Sequence, residues 1–244
     1  MNIRKPSNKN QLFPSYILTK KEPPEMSTIL YYSPKYIRPI ISVCLVQYFK
    51  ADIQIVDIDT DMENFARDFP LQQCPSLINR ETGLYLTETI SIQHYLIKTF
   101  SKYPEEVKKL LGSTVLEGAE ILRWDALSVS DFLNREVHYI KPLIGLLPYD
   151  ADAHLQAKKQ LDVVVQIFED HLKNHQFLVS DHITLADLSV TGSFFFGFNF
   201  AYDAKWSQQY PNITRWYKEI TKSPYVSNFF NDKQQTNTVP LPPQ

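Results

Sequence analysis

The chain has 244 residues, 43% hydrophobic and 13% aromatic, which is enough apolar mass for a packed core and excludes a wholly disordered protein. Its 25 Lys+Arg against 27 Asp+Glu leave a formal net charge of -2, which gives no general attraction to nucleic acid or anionic lipid. The 6 glycines form neither GxGxxG nor GxxxxGKS/T, so the usual dinucleotide and P-loop cradles are absent. The 2 cysteines, Cys44 and Cys74, cannot build a disulfide framework or a four-cysteine zinc site, and the expectation is a reduced, intracellular, cytoplasmic protein.

Residues 1–25 stand apart, with Arg4, Lys5, Lys9, Lys20 and Lys21 against Glu22 and Glu25. They hold no apolar run long enough for a secretory signal, and Pro14, Pro23 and Pro24 interrupt an amphipathic presequence. A disordered arm is expected there, with Met26 as an alternative start. Thr28 to Tyr32 reads as a strand, and Ser33-Pro34 turns the chain. Residues 37–50 carry Ile40, Ile41, Cys44, Leu45 and Tyr48 at helical spacing. Residues 53–58 form a second strand, apolar on both faces and therefore expected at the centre of the sheet. A short helix over 61–68, a strand entered through Pro75, a Glu81-Thr82-Gly83 turn and Leu84-Tyr85-Leu86 complete a hairpin. Thr87 then opens a helix to about Phe100 with Ile90, His94, Tyr95 and Ile97 roughly on one side. This β-α-β-α-β-β-α order is an α/β unit over residues 26–101.

After a linker at 102–112 no strand alternation returns. Helices are predicted at 113–138, 151–174, 184–202, 211–222 and 224–230, an all-helical domain over 113–230 followed by a disordered or polyproline II tail at 231–244. Ile183-Thr184-Leu185-Ala186-Asp187-Leu188 reads as a capping box with a hydrophobic staple. The helix behind it, with Val190 and Phe194, Phe195, Phe196, Phe198 and Phe200, is apolar nearly all round. Asp187, Ser189, Thr191, Ser193 and Asn199 keep it below the ~20 apolar residues of a membrane span, so it is read as a buried core helix.

Pro75 at the entry of the third strand, the Glu88-Thr89 pair at the last helix of the α/β unit, and the Thr-Leu-Ala-Asp box together resemble the glutathione S-transferase fold. That fold is a thioredoxin-like α/β N-terminal domain followed by an all-α helical domain. Leu110 to Ser113, Ile121 to Trp124, Ser128 to Asp131, Thr184 to Asp187 and Tyr210 to Trp216, in this order, look like the transferase-like N-terminal region of fungal elongation factor 1 gamma subunits. Those subunits continue through a Lys-rich linker into a further domain. The chain ends at Gln244, so a stand-alone relative is expected.

The resemblance implies a glutathione site. Thr89 would bind the γ-glutamyl carboxylate at a helix N-terminus, where free N–H groups and the dipole favour an anion. Glu88 would pair with the ammonium of the same ligand, and the backbone of Cys74, before a cis Pro75, with its cysteinyl part. Ser33 is the first candidate for the catalytic hydroxyl, with Tyr32 and Tyr36 as alternatives, and each also fits a purely structural role. No metal is expected: His171 and His175 are four apart on one helix face, but no third ligand accompanies them. Asn212-Ile213-Thr214 is a glycosylation sequon that an intracellular protein would not use. Two functions follow. One is an interaction module of translation elongation, homodimeric, docking on the exchange subunit of elongation factor 1 or another transferase-like domain. The other is an active glutathione transferase acting on electrophiles or peroxides. Neither nucleic acid nor membrane is an expected partner.

Overall fold

The computed structural model describes residues 27–240. The expected arm at 1–25 and the last four residues lie outside them. The chain divides between Phe100 and Ser101 into two compact units.

The first unit holds β1 (Thr28–Tyr32), α1 (Ile40–Phe49), β2 (Gln54–Asp57), α2 (Met62–Asp68), β3 (Ser76–Asn79), β4 (Leu84–Leu86) and α3 (Thr89–Phe100). The sheet order is β2-β1-β3-β4, with β1 parallel to β2 and antiparallel to β3. This corrects the sequence reading of the second strand: β2 is an edge strand, its four residues only half buried. Its doubly apolar pattern misled because Val56 packs on one face against a cluster of Tyr31, Phe65, Phe69 and Ile78, while the buried isoleucines, Ile53 and Ile58, flank the strand rather than belong to it. Residues two apart on a strand share a face, so Ile29 joins the Tyr31 cluster and Leu30 points the other way. Tyr31 meets the Phe65 ring at 5.1 Å and the Phe69 ring at 6.0 Å.

The α1 helix is buried along Ile40, Ile41, Cys44 and Leu45 and ends at Lys50 in the left-handed region. The α3 helix starts at Thr89, two residues later than expected, and buries Ile92, Gln93, Leu96 and Ile97. Of Ile90, His94, Tyr95 and Ile97, only Ile97 is among them. The helix packs on α1 and β3, and the Ile92–Leu96 side is the one those elements cover.

The second unit begins with α4 (Pro104–Leu111), where the sequence reading had a linker. Pro104 at the first helical position, Glu105 and Glu106 in the first turn and Lys108 and Lys109 in the last suit a helix dipole although the apolar content is low. The expected 113–138 helix is a longer rod: α5 (Val115–Ala126), a π-helical segment Leu127–Phe132, and α6 (Leu133–Leu143). Thr114 caps α5 and Asp150 caps α7 (Ala151–Leu172). The α8 helix (Leu185–Phe200) is buried on every side from Leu185 to Phe198, as its composition predicts. It is followed by α9 (Ala204–Gln209), α10 (Pro211–Ile220) and α11 (Ser227–Phe230). Six-residue α9 was missed because it is too short for a period to register. No helix among the described residues is long and apolar enough to cross a membrane.

The core of this unit is aromatic: Phe194 contacts Phe132 at 4.1 Å, Phe168 at 5.3 Å and Trp216 at 5.9 Å between ring centres. The start of the tail is not free. Thr236 N–H donates to Phe198 C=O at 2.8 Å, and Gln235 Nε2 donates to Tyr202 C=O at 2.6 Å and to Ser207 Oγ at 2.7 Å.

Candidate functional site

The topology collects the candidate residues at one end of the sheet. Tyr32 pairs with Asp57 at the carboxyl ends of parallel β1 and β2. Tyr31 lies opposite Ser76 on β3, and Leu77 lies opposite Leu86 on β4. Ser33, Asp57 and its followers, Cys74-Pro75 and Thr87 to Thr89 therefore all leave the sheet on the same side. The Cys74–Pro75 bond is cis.

Ser33 is fully buried. Its Oγ accepts the Lys35 N–H at 3.2 Å and its C=O accepts the Tyr36 N–H at 3.2 Å, so both groups close the turn after β1. Its own N–H donates to the Cys74 sulfur. Burial nevertheless pushes the Cys74 thiol up to about 12, and the charges of Asp57 and Asp59 push the same way. Tyr32 is buried, and burial followed by Asp57 raises its phenol as well. Tyr36 is 49% exposed. Glu88 is exposed and sits at φ 65, a left-handed conformation that a glutamate adopts only under constraint. Its C=O accepts the Ile92 N–H at 3.1 Å, so it ends the loop and starts α3, with half-buried Thr89 in the first turn. The α3 N-terminus can thus present N–H groups and a positive dipole end to an anion.

Sequence reasoning missed the acidic character of this end. Asp57 Oδ1 accepts the Asp59 N–H at 3.1 Å and caps a 3-10 turn over Ile58–Thr60. Asp59 pairs with Lys35 at 2.5 Å. Asp61 accepts the Tyr31 hydroxyl at 2.8 Å, and burial together with this carboxylate pushes Tyr31 up to about 12. The signal was the alternation Asp57-Ile58-Asp59-Thr60-Asp61 directly after a strand. The one lysine placed among these carboxylates by the contacts, Lys35, is already paired.

His171 and His175 stack face to face, ring centres 4.2 Å apart, and His171 Nε2 lies 2.9 Å from the Leu178 C=O. Stacked rings do not converge on a metal. Among the described residues no group of three or more His, Cys, Asp or Glu is placed to hold one.

Comparison with known proteins agrees with this architecture. Residues 26–98 match the glutathione S-transferase N-terminal domain and residues 127–224 the glutathione S-transferase C-terminal domain. A putative elongation factor 1 gamma homolog of Saccharomyces cerevisiae is 37% identical over 210 residues, spanning 84% of this chain and 92% of the relative. Elongation factor 1-gamma 1 of the same yeast is 34% identical over 221 residues, spanning 90% of this chain but 53% of its own length, so the chain covers about half of that relative. The crystal structure of the GST-like domain of elongation factor 1-gamma from Saccharomyces cerevisiae superposes with a TM-score of 0.81 at 33% identity, covering 90% of this chain and all of that one. A glutathione transferase from Phanerochaete chrysosporium, in complex with oxidized glutathione, shares the fold with a TM-score of 0.74 at 15% identity, over 85% of this chain and 96% of its own. The chain belongs to the glutathione S-transferase family, on the branch that holds the GST-like domain of elongation factor 1-gamma.

Proposed function

We propose that the chain is a cytoplasmic, homodimeric protein-interaction module of translation elongation, docking on the exchange subunit of elongation factor 1 or on another transferase-like domain. One observation carries this reading over catalysis: the end of the sheet where a glutathione thiolate would sit is acidic. The charges of Asp57 and Asp59 both act against a thiolate at Cys74, and the buried Ser33 Oγ accepts the Lys35 N–H of its own turn. A thiolate beside two carboxylates is opposed by Coulomb repulsion, the reverse of what a transferase needs. The similarity to elongation factor 1-gamma supports the same reading.

The second reading, an active glutathione transferase, is favoured by one feature. The α3 N-terminus with Thr89 forms an anion-receiving corner at the same end of the sheet, and the constrained Glu88 beside it offers a carboxylate to an ammonium. A glutathione S-transferase of Emericella nidulans, 29% identical over 71% of this chain, supports it. Two measurements on the full chain test the choice: titration calorimetry with purified exchange subunit, and glutathione-resin retention followed by conjugation of a generic electrophile. Module function predicts a stable complex and conjugation at background. Conjugation well above background with no complex would reverse the choice.

A further inference from the structure

The residues that follow α11 lie along the helical unit without forming helix or strand. Asn231 to Thr236 reads Asn-Asp-Lys-Gln-Gln-Thr, so no apolar side chain anchors the segment. Its base is set by Lys233, whose N–H donates to the Phe230 C=O at 2.9 Å and whose ammonium lies over the Phe229 ring at 5.1 Å. Two residues on, Gln235 Nε2 donates to the Tyr202 C=O at 2.6 Å, the Asp203 C=O at 3.0 Å and Ser207 Oγ at 2.7 Å. The Thr236 N–H donates to the Phe198 C=O at 2.8 Å.

The receiving atoms explain why a donor-rich segment sits here. The α8 helix ends at Phe200, and the carbonyls of its last turn lack partners within the helix. Gly197 C=O is taken by the Ala201 and Tyr202 N–H groups, both at 2.7 Å, and Phe198 C=O by Thr236. Tyr202 and Asp203 form the turn between α8 and α9, and their carbonyls converge with Ser207 Oγ on the one Gln235 nitrogen. A carbonyl has no hydrogen to give, so a primary amide fits this corner and a carboxylate does not. The same segment walls one side of a cavity of about 140 Å³ between α8 and α10, through Lys233, Gln234 and Gln235. Polar bonds of this kind exchange for water at little net cost, so the segment opens far more readily than the core beneath it.

We infer that residues 233–236 are a displaceable strap over a peptide-docking groove at the carboxyl end of α8. Closed, the strap caps that end of the helix. Open, it leaves the same acceptors to an extended segment of a partner protein that carries a primary amide followed by a free backbone N–H. The segment already seated there defines that chemistry, side-chain amide at Gln235 and N–H at Thr236. An acidic segment is opposed by the carbonyls, and a small anion satisfies none of them. Occupation by the chain's own residues makes the strap autoinhibitory, since a partner competes with a segment tethered at high effective concentration.

The test uses the full chain and a synthetic peptide of residues 231–240. Gln235→Glu in the chain keeps the shape of the side chain and sets a carboxylate against the Tyr202 and Asp203 carbonyls, which releases the strap. In an amide-resolved NMR titration this variant is expected to bind the wild-type peptide with a dissociation constant of about 1 mM or tighter, shifting the amides of Tyr202, Asp203 and Ser207. The wild-type chain, its groove occupied, should bind the peptide at least about 10-fold more weakly. A peptide carrying the same Gln235→Glu change should bind the variant at least about 10-fold more weakly than the wild-type peptide does. No binding by the variant, equal binding by the wild-type chain, or equal binding of the acidic peptide would each overturn the proposal. Hydrogen exchange on the wild-type chain tests the strap without any substitution. The Thr236 N–H should exchange at least about 100-fold faster than the Phe194 N–H in the middle of α8. Equal protection of the two amides would mean that the strap moves only when the whole unit unfolds, and the proposal would fall.

Discussion

The carboxylate of Asp187 ties three parts of the helical unit together. Its Oδ2 accepts the Thr184 N–H and hydroxyl, both at 2.9 Å, and its Oδ1 accepts the Leu178 N–H and the Trp216 indole N–H, both at 2.9 Å. The sequence motif showed the capping role, and the structure contains the box. It could not show Leu178 or Trp216, which arrive from 9 and 29 residues away. Asp187→Ala should therefore cost about 3–5 kcal/mol, since several buried donors lose their acceptor together at ~1–3 kcal/mol each, rather than the ~0.5–2 kcal/mol of a lost cap. Urea denaturation measures it, and a loss under 1 kcal/mol would mean the four bonds contribute little. Asp125 offers a test by pH. It is fully buried on α5 with the Ser189 hydroxyl beside it, and burial pushes its carboxyl up to about 7. An unfolded aspartate titrates near 3.9. Between about pH 4 and 7 the folded protein keeps a proton that the unfolded chain has released, so stability falls as pH rises through that window. The fall from this group is at most about 4 kcal/mol. Asp125→Asn should remove it, leaving the variant gaining on the wild type steadily from pH 4 to 7. A wild-type-minus-variant difference that stays level with pH would refute the assignment.

Among the elements, α8 shows how a sequence pattern and a packing constraint differ in legibility. Its phenylalanines announced burial. Nothing announced that Gly197 must lack a side chain: a Cβ there would collide with the Tyr202 ring, which lies against the helix after the chain turns at Ala201. Gly197→Ala should destabilise the protein by about 2 kcal/mol, since overpacking of ~1–3 kcal/mol or more outweighs the ~1 kcal/mol that alanine gains in a helix. An increase in thermal midpoint would show that Tyr202 can move aside. The same distinction runs through the rest of the fold. Long periodic elements such as α7, and the β3-β4 hairpin with its glycine turn, were readable because local pattern decides them. The position of β2 was not, since whether an apolar strand is central or at an edge depends on what pairs with its neighbours. Charged α4 and short α9 lacked a stripe to read. The π segment at Leu127–Phe132 inserts no sequence mark that a 3.6 period would reveal.

For the whole molecule the decisive matter is the chemistry of the sheet end, and its legibility was split. Glu88-Thr89 and Cys74-Pro75 are adjacent in sequence and could be read as pairs. The carboxylate run from Asp57 to Asp61 is local, but its arrival at this end of the sheet comes from strand register, Tyr32 against Asp57, and no local pattern contains that. Their effect bears on turnover. Lowering a thiol by ~2 pK units takes ~2.7 kcal/mol of selective thiolate stabilisation. Cys74 is a thiol at the same end of the sheet, and burial, with a smaller push from Asp57 and Asp59, drives it the other way, up to about 12, although the Ser33 N–H donates to it. In the module reading, Ser33→Ala removes an acceptor for the Lys35 N–H and should cost about 1 kcal/mol of stability without changing conjugation, which stays at background, or binding of the exchange subunit. In the transferase reading, the same change cuts turnover ~10–100-fold with glutathione binding nearly intact. Thr89→Ala then separates the readings a second time: it weakens glutathione binding in a transferase, by removing a contact common to ground and transition states, and leaves the complex of a module untouched. Steady-state conjugation, glutathione calorimetry and chemical denaturation of the two variants distinguish these outcomes. A wild-type protein with measurable turnover that Ser33→Ala abolishes would sink the module reading outright.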